Sequence, residues 1–387
     1  MLYRYFVAGT GMGETVAHFL LQQPDTHSVV VSDVSLERAR NVAARLNSRS
    51  SRRAGCEAIE FSMEDSSGFP KFSYFDVVIS ALPARYNLQL FQMALAAGTN
   101  YCDLGGVLNV SRKIHKFGDD AKSACVAGVP DCGLMPGLGN IEAYFLTHQI
   151  LRKYNLKKVD SVEIFVGGMP QRPRPPLYYQ RVFDLDGLKH LCYDNAPIVR
   201  DGKIIYVRPF SGYQRMTVPE LKRFSDLFKG ETECFISAGA GLAPWHFRNI
   251  TDHFYEKTVR WPGFVDFVRN IPQMEFKATI EPYVNMPVDE KNPDLVWMEV
   301  RVSTGPIVWS VSMLDVFGLL TDFTAMQRTT GFSAGAVALM IARGLVKKGV
   351  HTPEIALTEE GLIEFRKEIR KWLFLEENYR DKTQGLT

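Results

Sequence analysis

Along the first third of the chain, short apolar runs alternate with stretches whose apolar residues recur at helical spacing. That is the pattern of a parallel sheet covered by helices on both faces. Residues 2–8 (LYRYFVA) form an aromatic and β-branched run that passes straight into Gly9-Thr10-Gly11-Met12-Gly13, and residues 14–22 then place apolar side chains on one helical face. Residues 29–32 make a second β-rich run that ends at Asp33, with LERARNVAARL as the next helix. A fully apolar run at 76–81 (DVVISA) leads into Ser80-Ala81-Leu82-Pro83 and a helix over 87–97 closed by Gly98, after which 99–104 and 124–129 read as further short strands. The alternation predicts an α/β fold with a doubly wound parallel sheet of Rossmann type. Ligands of such a sheet bind at the C-terminal ends of its strands, and here that edge carries residues 80–83, 103–106 and 131–133.

The pattern changes after a helix that starts near residue 141. Strand-like segments follow at 159–166, 178–183, 203–207, 233–236, 277–281, 296–303 and 307–312, which predicts a second, α+β domain with a largely antiparallel sheet. Helical spacing returns over 335–348 and 358–375, and the small residues of 331–336 (GFSAGA) permit close packing of helix on helix. The expected division is a dinucleotide-binding domain over 1–135, a substrate and dimerisation domain over 136–320, and a C-terminal helical segment over 321–387 that returns to the first domain.

Composition narrows the function classes. A chain of 387 residues is long for one core and suits two domains. A net charge of +2 with scattered basic residues supplies no field for nucleic acid or a membrane surface. The main basic cluster, Arg49, Arg52 and Arg53, reads as a solvated Ser-rich connection. The six cysteines contain no CxxC pair and no His-ligand pattern, so reduced thiols of a cytoplasmic protein without a metal site are expected. There is no apolar run of membrane-spanning length and no signal-peptide layout at the N-terminus.

A glycine-rich turn between strand and helix lets backbone approach a pyrophosphate at the helix N-terminus. Gly9, Thr10, Gly11, Met12 and Gly13 are therefore candidate cofactor residues, with the third glycine one place early and Glu14 where GxGxxG would have it. Asp33 stands where an acidic side chain bonds the adenine ribose hydroxyls and disfavours a 2′-phosphate, which favours NAD over NADP; the alternative is a cap for the next helix. Arg38 and Arg40 nearby keep NADP open. Ser80, Ala81, Leu82, Pro83, Asp103 and Gly105 lie on further loops at the same edge. Asp131, in VPDCGLMPGLGN (129–140), is either a turn-forming residue or a carboxylate facing the reacting atoms.

These motifs carry a resemblance. GTGMG, SALP (80–83), YCDLGG (101–106), DCGLMPGLGN (131–140), VGGMPQRPRPPLYYQ (166–180), EKTVRWPG (256–263) and QRTTGF (327–332) are similar to the saccharopine dehydrogenase family, and within it most like lysine 6-dehydrogenases. The resemblance implies a Rossmann domain with an α+β substrate domain, a homodimer, and hydride transfer between a nicotinamide and a carbon bearing an amine. For lysine, the ε-carbon becomes an imine that water converts to the semialdehyde. A lysine amine with a pKa of about 10.4 must first lose a proton, and Asp131 and Asp103 are the candidate acceptors. Arg328 with Thr329 is the first choice for the α-carboxylate, and Arg260 and Arg181 are alternatives. Tyr178 and Tyr179 are read as pocket wall or core, Cys132 as packing or participant, and His246 as a general base or a bystander. Other chemistries within the resemblance are saccharopine cleavage, for which Arg172, Arg174 and Arg215 would supply positive charge, and a carboxynorspermidine-synthase-like condensation. A dinucleotide-binding sensor without turnover is the non-enzymatic alternative, with Glu14 as its one supporting feature.

Overall fold

Short, nearly all-apolar strands suit a sheet that is covered on both faces, and the computed structural model of the chain builds its first unit on them. Residues 1–49, 54–65, 70–319 and 321–381 are described. They form two units, one of Met1–Leu138 with Gln327–Trp372, the other of Gly139–Met326 with the described residues from 373 onward.

The first unit contains β1 (Tyr3–Ala8), β2 (Thr26–Asp33), β3 (Gly55–Glu60), β4 (Val77–Ser80), β5 (Asn100–Asp103), β6 (Ala127–Val129) and β15 (Gly349–Val350). They pair in parallel in the order β15-β6-β5-β4-β1-β2-β3. The strand order reverses between β1 and β4, so the loops after these two strands lie side by side, and the Ala81 amide donates to the Ala8 carbonyl at 2.8 Å. Phe6, Val78, Leu90, Phe91 and Tyr101 form the core on one face of the sheet, each contributing about 1.5–3 kcal/mol of apolar burial. Helix Gly13–Leu21 also takes helix Ala325–Ala342 against it, because Gly331 and Gly335 carry no side chain. A Cβ on Gly331 would stand 2.6 Å from Thr15 Cβ, and one on Gly335 would stand 2.8 Å from Phe19 Cδ1.

The second unit holds β7 (Val159–Pro170), β8 (Ala196–Arg200), β9 (Lys203–Val207), β10 (Gln214–Thr217), β11 (Glu231–Ile236), β12 (Thr251–Arg260), β13 (Asp294–Thr304), β14 (Ile307–Val316) and β16 (Leu375–Asp381). Its main path runs β10-β11-β12-β7-β13-β14-β16, with β8 pairing β12 and β9. All contacts are antiparallel except β12 with β7. The predicted fold class therefore holds, a parallel Rossmann-type sheet and a largely antiparallel second one.

Several predicted elements are corrected. Residues 178–183 form no strand: Tyr178 has φ +52°, a left-handed conformation no strand admits. Residues 277–281 belong to helix Phe276–Val284, whose buried Phe276, Ile280 and Val284 recur every fourth residue; five residues were too few to reveal that period. The helix expected over 335–348 spans Ala325–Ala342, so QRTTGF is helical. Its start is set by Asp294, distant in sequence, whose Oδ1 and Oδ2 accept from the amides of Ala325 (2.9 Å) and Met326 (3.0 Å). The helix expected over 358–375 ends at Ile369, and the chain then forms β16. Strands β3, β8, β10, β12 and β15 were not anticipated. Arg49 ends helix Leu36–Arg49 rather than lying in a connection, while Arg52 and Arg53 fall outside the described residues. No described helix is long and apolar enough to cross a membrane, and all six cysteines are free thiols.

Candidate functional site

At the end of β1 each glycine has a distinct task. Gly9 has φ +95°, and a Cβ there would meet the Ala81 carbonyl oxygen at 2.8 Å. Gly13 lies where a Cβ would stand 2.9 Å from Val7 Cγ1, so it is the glycine that lets the helix close on the sheet. The early third glycine thus performs the packing task usually met one residue later. The next side chain, Glu14, is buried and takes the Arg45 fork at 3.0 and 2.6 Å. Gly11 is exposed with nothing within 4 Å of its would-be Cβ. Open space over backbone at a helix N-terminus is the cradle a pyrophosphate requires, so the residues present fit a dinucleotide. Thr10 is buried and Met12 half-buried on the same turn.

Asp33 ends β2 and faces this turn. Thr10 donates its hydroxyl to Oδ2, and the Ser35 amide (3.0 Å) and the Arg38 Nε and Nη2 (3.0 and 2.7 Å) donate to Oδ1. Burial pushes the Asp33 carboxyl upward, but these donors outweigh it and hold it below the usual carboxylate range. Asp33 therefore makes the local turn of the capping alternative and remains an ionised acceptor at the loop. From β4, the buried Ser80 hydroxyl donates to Asn87 Oδ1 at 2.8 Å, Ala81 and Leu82 are half-buried against Gly9, and Pro83 is exposed.

Asp103 and Asp131 end up together. Asp103 is 1% exposed, and its Oδ1 accepts from the amides of Gly105 (2.8 Å) and Asp131 (3.0 Å) while Oδ2 accepts from the Tyr101 hydroxyl (3.0 Å). It is a hub that ties two loops. Asp131 has φ +69°, which an Asx side chain tolerates better than most. The hydroxyl of Ser111 donates to its Oδ1 at 2.8 Å, and its Oδ2 is buried with no hydrogen-bond partner. A Cβ on Gly105 would stand 2.5 Å from Asp131 Oδ1, so only glycine fits over this carboxyl. Burial raises both groups, Asp103 to about 6 and Asp131 to about 8, the latter also through the charges of Asp103 and Glu354. Cys132 is buried beside them, its Sγ 3.0 Å from the Val129 carbonyl, with a thiol that burial pushes far up. Ser111 and Glu354 were not found from the sequence, and neither carries a local signal: one lies inside helix Leu108–His115, the other arrives with the returning C-terminal segment.

The returning helix also places Arg328 (1% exposed) and Thr329 (0%) in the first unit, and Arg328 Nη2 donates to the Trp372 carbonyl at 3.2 Å. The other candidates belong to the second unit. Arg260 ends β12, fully buried, with its guanidinium carbon 5.0 Å from the ring centre of Tyr179. Tyr178 is half-buried against Phe228, with ring centroids 5.1 Å apart. Arg181 is exposed and lines a groove of about 420 Å³ with Asp184, Lys277 and Glu281. His246 is half-buried on helix Ala243–Phe247. Arg172 and Arg174 are exposed, and Arg215 pairs with Glu231 at 3.0 Å. Among the described residues no cluster of His, Cys, Asp and Glu could hold a metal. Glu256, which the sequence reading passed over, is buried on β12 and pushed up to about 7 by burial.

A family model described as the saccharopine dehydrogenase NADP binding domain matches residues 8–129, and one described as the saccharopine dehydrogenase C-terminal domain matches residues 133–373. The structure is similar to apo saccharopine dehydrogenase (L-Glu forming) from Saccharomyces cerevisiae, with a TM-score of 0.73 at 15% identity over 98% of this chain and 100% of that one. At that identity the likeness is one of fold. A looser likeness, with a TM-score of 0.44 at 13% identity over 95% of each chain, holds with a myo-inositol dehydrogenase from Corynebacterium glutamicum.

Proposed function

Because the chain belongs to the saccharopine dehydrogenase family, whose members are dinucleotide-binding oxidoreductases, we propose that it oxidises the amine-bearing side-chain carbon of an amino acid, L-lysine or a close relative, and prefers NAD. The bound nicotinamide would supply the acceptor for the hydride. The chain's own residues hold the dinucleotide at Gly9–Gly13 and Asp33 and manage the proton.

The observation that carries this reading is Asp131. Oxidation of an amine needs the neutral form, and lysine's ammonium holds its proton with a pKa of about 10.4. An ordinary carboxylate, near 3.8, is a poor acceptor for it. Lifted to about 8, with Oδ2 unengaged, Asp131 narrows the gap to a few units. Asp103, bonded on both oxygens, positions the Asp131 backbone instead of exchanging protons. Arg328, with Thr329 beside it, is our candidate for the substrate carboxylate. Water then hydrolyses the imine to the semialdehyde with release of ammonia.

NAD preference rests on Asp33, whose ionised carboxyl accepts ribose hydroxyls and repels a 2′-phosphate. Arg38 supports the NADP reading, since its side chain is 63% exposed and lies on the same carboxylate. Reduced-cofactor absorbance during incubation with L-lysine and NAD, and then with NADP, tests both points. Absence of turnover with lysine and with every other ω-amino acid would overturn the substrate class.

A further inference from the structure

Three neighbouring parallel strands of the first unit, β5, β6 and β15, each lead to one acid at the C-terminal edge of the sheet. Asp103 ends β5, Asp131 follows β6 and Glu354 follows β15. The last two chains run on together: the Gly349 amide donates to the Val126 carbonyl at 2.9 Å and the His351 amide to the Gly128 carbonyl at 3.0 Å. Gly128 permits that approach, since a Cβ there would stand 3.3 Å from Val350 Cγ2. Glu354 is fully buried, and the Thr352 hydroxyl donates to its Oε1 at 2.8 Å. A separate element, helix Leu108–His115, brings the buried Ser111, whose hydroxyl donates to Asp131 Oδ1 at 2.8 Å. Asp131 Oδ2 is left unengaged.

A like charge buried beside a carboxyl is costly, so packing gives no reason for an acid at position 354. The titratable groups around the carboxyl pair are Tyr101, Cys102 and Asp103 on β5, Cys132 next to Asp131 in the chain, and Glu354. Burial and the charges of Asp103 and Glu354 keep the proton on Asp131, and the Ser111 hydroxyl works against them. Two elements far apart in sequence thus act on one carboxyl in opposite senses.

We propose that Ser111 and Glu354 are positioning residues for Asp131, Ser111 by reserving Oδ1 so that the substrate's proton goes to Oδ2, and Glu354 by placing its charge beside the carboxyl. This rests on the reading of Asp131 as the proton acceptor. Asp103 alone would repel the charge of Asp131 without any adjustment from outside the two loops. Glu354 ties that adjustment to the docking of the returning C-terminal segment, and Ser111 ties it to the helix after β5.

The carbon-13 signal of the Asp131 carboxyl, titrated in the full chain without substrate and assigned by its loss in Asp131→Asn, tests the inference directly. Glu354→Gln should lower the midpoint by about one pH unit, because a neighbouring negative charge is gone. Ser111→Ala should raise it by about one pH unit, the scale of a lost hydrogen bond to a charged group. The two substitutions together should nearly cancel, and Ser111→Thr, which keeps the hydroxyl, should restore the wild-type midpoint. Glu354→Leu also removes the charge and serves if the glutamine variant does not fold. In turnover, the rising limb of kcat/KM should move with each midpoint, and the profiles should converge well above it, where Asp131 is ionised in every variant. General damage to the fold would lower the profiles at all pH values instead. Unmoved midpoints in folded Ser111 and Glu354 variants overturn the proposal, even if lysine is oxidised. Midpoints that move while the limbs of kcat/KM stay fixed uphold the hold on the carboxyl and remove Asp131 from the reaction.

Discussion

A carboxyl that is buried, half-satisfied and close to another carboxyl resists losing its proton, and Asp131 meets all three conditions. Asp131→Asn is expected to lower turnover about a hundredfold, the usual contribution of a proton-handling group, with dinucleotide affinity unchanged. Turnover within a factor of about three of wild type would remove Asp131 from proton handling. Because the ionised form accepts the proton, kcat/KM of the wild type should rise as pH passes through about 8, and the residual activity of the asparagine variant should lose that limb. At the dinucleotide turn, Asp33→Ala removes an ionised acceptor. We expect kcat/KM for NAD to fall about tenfold and the preference over NADP to shrink, and equal values for wild type and variant with both cofactors would reassign Asp33 to turn formation alone.

At the scale of elements, the glycine turn separates packing from binding. Gly13→Ala forces a methyl against Val7 Cγ1 and should destabilise the first unit by about 1–3 kcal/mol, as overpacking does. Gly11→Ala meets open space, so the melting temperature should hold while dinucleotide affinity drops; the two variants measured side by side by thermal melting and cofactor titration decide this. The start of helix Ala325–Ala342 depends on a cap supplied from β13, and Asp294→Ala should cost about 1–2 kcal/mol in denaturant unfolding. The elements that sequence reading recovered, β1, β2, β4 and the helices between them, carry their apolar period locally. Those it missed do not. The period of helix Phe276–Val284 appears only over nine residues, and β12 carries Glu256, Lys257, Thr258 and Arg260 on buried positions that alternation alone reads as surface.

For the molecule as a whole, buried carboxyls set a pH dependence of stability. Asp103, Asp131 and Glu256 lie at about 6, 8 and 7, above their unfolded values. Between about pH 4 and pH 8 the folded state thus binds more protons than the unfolded state, so these groups make stability fall as pH rises, by at most about 1.4 kcal/mol per pH unit for each group. Below about pH 4 they are protonated in both states and contribute no slope. Asp131→Asn and Glu256→Gln should each flatten the decline in melting temperature from pH 5 to pH 9, and an unaltered slope in both would show that these carboxyls ionise as freely folded as unfolded.

The chain by itself determined the class of fold, the glycine turn after β1 and the family, because each is written in contiguous residues whose spacing follows from one strand, one turn or one helix. Tertiary structure decided what those residues do. It made Gly13 the packing glycine, Asp103 a hub and Asp131 a carboxyl with one oxygen unengaged, and it brought Ser111 and Glu354 to Asp131 and Ser237 to Glu256. These are statements about solvation and about partners far apart in sequence, and burial that lifts a carboxyl to about 8 exists only once several elements have closed around it.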